Sequence, residues 1–214
     1  MGHAASDAIG AVEGLALAWQ PPSSKELLAG VFALDARLAR RIGSSKEPLI
    51  VQITLAWWRE RLMEHSRADP LLAKLVDDWG GSAAALVPLV DGWEELLGDS
   101  PLPRPAIEGF ASGRGLALEA VARRLGNASD FETAKLAGQR WALAHWAFRT
   151  PSLIESDRAL ELAEALPPPQ PLSHPLRGIA VLDGIAARAV ARRRPMLEGR
   201  GAALLALRVG LLGR

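Results

Sequence analysis

The sequence predicts a single all-α domain, and three observations lead there. Ala, Leu, Arg and Glu dominate the composition, while tyrosine is absent and runs of Val, Ile and Thr are few, which is helix chemistry and not strand chemistry. Apolar residues recur at three- and four-residue spacing. The intervals between such stretches carry Gly, Pro and Ser, the residues that stop helices and cap the next ones. At 214 residues the chain can bury roughly two thirds of its unfolded surface, enough for one sizeable core. Apolar residues at 49% and charged residues at 23% are ordinary for a globular protein.

Each element follows from its own signals. A weak first helix over residues 4–19 stops at Gln20-Pro21-Pro22, since proline cannot continue a helix and restricts the residue before it. Ser23 or Ser24 is the expected cap of a helix over 25–42. There Leu27, Leu28, Val31, Leu34, Leu38 and Ile42 make one stripe, and Arg37, Arg40 and Arg41 lie mostly off it. Gly43-Ser44-Ser45 breaks the chain, and Pro48 suits the first turn of a helix over 48–65, so two antiparallel helices in a hairpin are expected. Further helices are predicted over 70–79, 82–97, 103–125, 129–149, 156–166, 172–194 and 201–212. Pro167-Pro168-Pro169 opens a stiff segment to Pro175, and the last two helices are expected to return to the same core. The division expected is an N-terminal segment, 1–22, and one helical domain, 23–214.

Composition excludes several function classes. The longest charge-poor stretch, 201–213, is interrupted by Arg208 and as a helix reaches only about 20 Å, short of the roughly 30 Å of a bilayer core. The N-terminus has no basic region before an apolar run, and carries Asp7 and Glu13, so a cytoplasmic location is expected. With no cysteine there is no disulfide, thiolate metal site or cysteine nucleophile. Net charge is +1, but residues 177–214 hold eight arginines against Asp183 and Glu198, giving +6, while the rest, with 17 basic and 22 acidic residues, is −5. A basic C-terminal end suits an anionic surface or an acidic partner, with Arg188, Arg192, Arg193 and Arg194 as its expected face and peripheral association at the inner membrane surface as one outcome. Nucleic acid is the weaker expectation, because the chain as a whole is nearly neutral.

Single residues offer little conventional chemistry. Asp77-Asp78 is the one adjacent aspartate pair, but Trp79-Gly80-Gly81 follows where a third acid would be needed. Glu60 and Glu64 have i, i+4 spacing and read as a solvated face. The four histidines show no ligand spacing, no G-x-S-x-G elbow is present, and Gly113-Arg114-Gly115 lacks the Lys-Ser/Thr of a P-loop. Trp57, Trp58, Trp141 and Trp146 read first as core and second as the lining of a greasy pocket.

Four stretches carry a resemblance. Leu55-Ala56-Trp57-Trp58-Arg59-Glu60-Arg61-Leu62 is similar to an L-x-W-W/F-R-x-x-L signature, residues 86–95 to a segment reading roughly "pf..lidg...dl", 110–115 to a "Y...vaG" segment, and 136–149 to G-x-x-x-Q-L-x-N-I-x-R-D. Together they resemble the squalene/phytoene synthase family, and the resemblance implies its terpenoid-synthase type of helical bundle around a central cavity. Members that condense isoprenyl diphosphates hold Mg²⁺ on two aspartate motifs. At the first, this chain has Ala39, Arg40 and Gly43; at the second it has Ala142, His145 and Arg149, with Ser152 and Leu153 where acids should follow. A guanidinium cannot coordinate a metal, so the resemblance implies the fold of a transferase without its machinery, a pseudoenzyme. It lies closest to the branch resembling mitochondrial complex I assembly factors. The expectation is a non-catalytic prenyl- or lipid-binding or assembly protein with no cofactor, its pocket formed by Phe32, Asp35, Arg40, Trp58, Arg59, His145 and Arg149. The alternative is a divergent prenyl transferase of isoprenoid biosynthesis, using Mg²⁺ and acids such as Asp35, Asp91 or Glu119.

Overall fold

The computed structural model describes residues 9–44, 47–199 and 201–213. Its α-helices are α1 Ala11–Trp19, α2 Pro22–Ser44, α3 Pro48–Met63, α4 Pro70–Trp79, α5 Val87–Glu94, α6 Arg104–Leu125, α7 Asp130–Ala147, α8 Leu153–Glu164, α9 Arg177–Arg192 and α10 Gly201–Leu212. Short 3₁₀ turns cover Gly80–Leu86, Glu95–Leu97 and His174–Leu176. No strand occurs among the described residues, as an all-α chain requires.

Local signals set most boundaries. Asp69 accepts a hydrogen bond from the Leu71 N–H at the start of α4, whose other end is closed by Gly80 at φ +56°, a conformation that favours glycine. Ser152 caps α8 by accepting from the Glu155 N–H, which starts that helix three residues earlier than the spacing predicted. The predicted helix over 82–97 is divided: a 3₁₀ turn precedes α5, and Pro88 sits in the first turn of α5, where its missing N–H is tolerated. Likewise α2 begins at Pro22 and not after a serine cap. The Ser24 hydroxyl instead donates to the carbonyls of Pro21 and Pro175.

The paired helices α6 and α7 form the centre. Helix α5 lies against α6, α8 and α9 against α7, and α1 and α10 against α9. The proline segment therefore returns the chain to the same core, and α1, inside the 1–22 segment, packs into that core. The expected α2/α3 hairpin is splayed: α2 docks mainly on α4, and α3 on α5 and the preceding turn. Buried Val51, Leu55, Trp58 and Leu62 give α3 an inner face that is turned mainly toward α5 and the preceding turn, with Arg37 of α2 over the Trp58 ring.

Glycines set how closely the centre packs. A Cβ on Gly113 would lie 2.4 Å from the Pro88 carbonyl oxygen and 2.8 Å from the Gly92 Cα, and one on Gly138 would lie 2.6 Å from the Arg114 carbonyl oxygen and 2.8 Å from the Gly115 Cα. Helix α6 is thus pressed backbone to backbone by α5 on one side and α7 on the other. The residue held between those crossings is Arg114.

A caged arginine at the candidate functional site

Arg114 is fully buried. Its Nε donates to Asp35 Oδ1 at 2.8 Å and its Nη2 to Asp35 Oδ2 at 2.6 Å, the bidentate fork that a guanidinium offers a carboxylate. Trp93 Nε1 donates to the same Oδ1 at 2.9 Å. Three rings enclose the cation, with centroids 4.0 Å (Trp141), 4.7 Å (Phe110) and 5.2 Å (Trp93) from its central carbon. Its Nη1 is buried and makes no hydrogen bond, so the faces of those rings provide the remaining stabilisation of the charge. Trp141 is fixed in turn by donating to Glu13 Oε1 at 2.9 Å and by an edge contact with Phe32 at 5.3 Å.

His145 lies one turn after Trp141 on α7. Burial, reinforced by the charges of Arg114 and Arg149, pushes its imidazole well below the ordinary 6.5. It is therefore neutral near pH 7, the state a base needs and equally the state burial beside two cations enforces.

The structure brings three of the sequence-derived pocket residues to this interior: Phe32 and Asp35 are buried against the cage, and His145 feels the charge of Arg114. The others are not gathered there. Arg40 and Arg149 are exposed. Arg59 turns outward, with Nε 2.8 Å from Asp91 Oδ1 and Nη2 2.5 Å from Glu94 Oε2. Trp58 is buried on the inner face of α3, with Arg37 6.0 Å over its ring. Of the four tryptophans read as core or pocket, Trp58 and Trp141 are buried, Trp146 is half-buried and Trp57 is exposed. Sequence reasoning missed Arg114, Trp93 and Phe110 as site residues. The available signal was an arginine between two glycines inside an otherwise apolar helix.

Around Arg114 the space is occupied by the Asp35 carboxylate and three aromatic rings. Clefts indent the surface elsewhere: about 480 Å³ beside Arg188, Arg192, Arg194, Glu198 and Gly199, about 450 Å³ around Arg59, Asp91, Glu94 and Glu95, and about 350 Å³ between α2 and α3 beside Arg37, Arg41, Ile53, Trp57 and Trp58. Among the described residues no group of three or more His, Asp or Glu side chains is placed to hold a metal ion. Asp77 and Asp78 pair with Arg67 and Lys74, and Glu60 and Glu64 both pair with Arg61.

Two carboxylates outside the cage brace the bundle. Burial works to raise the pKa of Glu155, but donors from Thr150, Leu102 and Ser100 outweigh it and hold the group below its ordinary 4.5. Asp130 is similar: burial opposes the N–H of Asn127 and the hydroxyl and N–H of Ser173, which together keep it below 3.8. A second buried ion pair, Arg140 with Asp183, joins α7 to α9, and Arg140 also donates to the Pro167 carbonyl.

Comparison with protein-family models, with characterised proteins and with solved structures returns no match. The functional argument therefore rests on the residues themselves.

Proposed function

We propose that this chain is a non-catalytic protein of the squalene/phytoene synthase type, acting as a prenyl- or lipid-binding or assembly protein through its outer surface. The observation that supports the reading is the Asp35–Arg114 pair. Asp35 is the one acid that α2 carries into the interior, and both of its oxygens are engaged by N–H donors. A Mg²⁺–diphosphate centre needs ionised carboxylates free to meet metal and water, and the residues present do not fit one. The other acids weighed for a divergent prenyl transferase are engaged as well, Asp91 with Arg59 and Glu119 with Arg123. That alternative alone calls for Mg²⁺.

On this reading the working parts are surface features, including the basic face of Arg188, Arg192, Arg193 and Arg194. Arg193 and Arg194 are tied to Glu164 and Glu198, so Arg188 and Arg192 carry more of its free charge. No helix is long and apolar enough to cross a membrane among the described residues.

The test is a thermal-shift titration with farnesyl diphosphate, a non-ionisable analogue and farnesol, each with and without Mg²⁺. A bound ligand at a hundredfold excess over Kd stabilises by about 2.7 kcal/mol, so weak binding is visible. The outcome expected from an Asp35 carboxylate engaged on both oxygens is no shift that needs both diphosphate and Mg²⁺. A shift requiring both, or Mg²⁺-dependent turnover of farnesyl or geranylgeranyl diphosphate, would overturn the proposal and restore the transferase.

A further inference from the structure

Helix α10 is apolar on two opposite faces. With about 3.6 residues per turn, Ala202, Ala206 and Val209 face inward and are buried against the bundle, while Leu204, Leu207 and Leu211 align on the outside and are 67%, 49% and 65% exposed. The inner face is locked in place. Gly210 lies under the ring of Trp19, where a Cβ would come within 2.2 Å of the indole, Gly184 faces Leu205, and Arg177 donates to the Val209 carbonyl near the helix end. A rigidly seated helix therefore presents a row of leucines to solvent, with Leu197, 39% exposed, in the preceding loop.

At the start of the same helix lies the arginine cleft of about 480 Å³, lined by Arg188, Arg192, Arg194 and Gly199 with one acid, Glu198. Arg188 reaches the start of α10, its guanidinium passing next to Gly201. Arg192 and Arg208 are exposed, and neither is given a partner by any hydrogen bond or ion pair among the described residues. Arg208 sits among the exposed leucines of α10, and such a face, with the arginine cleft at its start, has the two components of interfacial binding: apolar side chains that enter the acyl boundary and cations that meet lipid phosphates.

We propose that α10, with the arginine cleft at its start, docks the protein flat on an anionic phospholipid bilayer. A second copy of the chain fits this surface less well, because a symmetric contact through the leucines would bring the same arginines of both copies together. A bilayer rich in anionic headgroups has the complementary charge and an apolar layer in one object. The inference rests on the proposal above only in taking the outer surface as the working part. It makes no use of the interior.

The experiment is flotation of the full chain with large unilamellar vesicles, one set of phosphatidylcholine alone and one with about a third phosphatidylglycerol. Partitioning onto the anionic vesicles is expected, falling as salt shortens the screening length. R192Q and R208Q should each weaken it by about fivefold, and L207Q with L211Q by at least about tenfold. All four side chains are exposed, so the variants should keep the parent's melting temperature, and that is measured alongside. Equal or absent binding to the two vesicle sets would overturn the proposal. So would undiminished binding of the leucine variant, or a dimer in sedimentation that the leucine variant dissolves. Failure here leaves the reading of the interior standing, and a Mg²⁺-dependent diphosphate response leaves the docking proposal standing.

Discussion

Arg114→Met is the sharpest test of the caged ion pair. The substitution keeps a flexible side chain of similar length among Trp93, Phe110 and Trp141 but removes the cation, leaving the Asp35 carboxylate 5% exposed with Trp93 as its one remaining hydrogen-bond donor of the three. Breaking a buried pair in this way costs about 3–5 kcal/mol, because the surviving charge has neither water nor partner. For a chain of this size that is a fall in Tm of about 6–20 °C, a large part of the roughly 5–15 kcal/mol that holds a domain together. Asp35→Leu should be comparably harmful, since it strands the guanidinium. The double variant removes both charges and leaves only the Trp93 N–H unpaired, so it should lose about 1–3 kcal/mol. Urea denaturation of wild type, both single variants and the double variant at pH 7 gives the cycle. Additive losses, or an R114M protein within about 1 kcal/mol of wild type, would refute the argument that the pair is desolvated and mutually dependent.

Three further outcomes follow from the packing and the buried titratable groups. Gly113→Ala and Gly138→Ala force backbone against backbone at the α5/α6 and α6/α7 crossings and should each lose about 1–3 kcal/mol; Gly14→Ala, in α1 with nothing within 4 Å of the added methyl, should gain about 0.5–1 kcal/mol in the same thermal melts. His145, held neutral below its ordinary 6.5, takes up a proton more readily when unfolded, so stability declines as pH falls below 6.5 by at most about 1.4 kcal/mol per unit; His145→Asn should show less of that decline between pH 7.5 and 5.5, and an unchanged slope would count against the assignment. Glu155, held below 4.5 by its donors, contributes stability that is complete above 4.5 and lost as pH falls through its folded pKa; Glu155→Gln should shrink the wild type's loss between pH 5 and pH 3, measured by urea titration at each pH.

How much was legible in the sequence differs between the helices and the site. The stripe of Leu28, Val31, Leu34 and Leu38 identified α2 because burying one face of a helix imposes a period that can be counted along the chain. Those four residues are buried. Proline and glycine marked where most helices start and stop, because their backbone restrictions are local. The cap of α8 was missed although Ser152 is a good capping residue, since Ser156 offered an equally plausible start. The site was far less legible. Asp35 and His145 were singled out, but for the positions they hold in a resembled motif and not for the company they keep.

By itself, then, the sequence determined the helical class, most helix positions and the buried stripe of α2, because each depends on residues a few places apart. Only the tertiary structure decided that Arg114 finds Asp35, 79 residues away, or that Gly113 and Gly138 bring α5 and α7 onto α6 tightly enough to close three rings around a cation. Only it decided that Arg40 and Arg149 stay outside, and that the leucines of α10 divide into a buried face and an exposed one. These are consequences of which helix faces meet, and helices of similar apolar pattern can meet in many ways until packing volumes and buried charges select one.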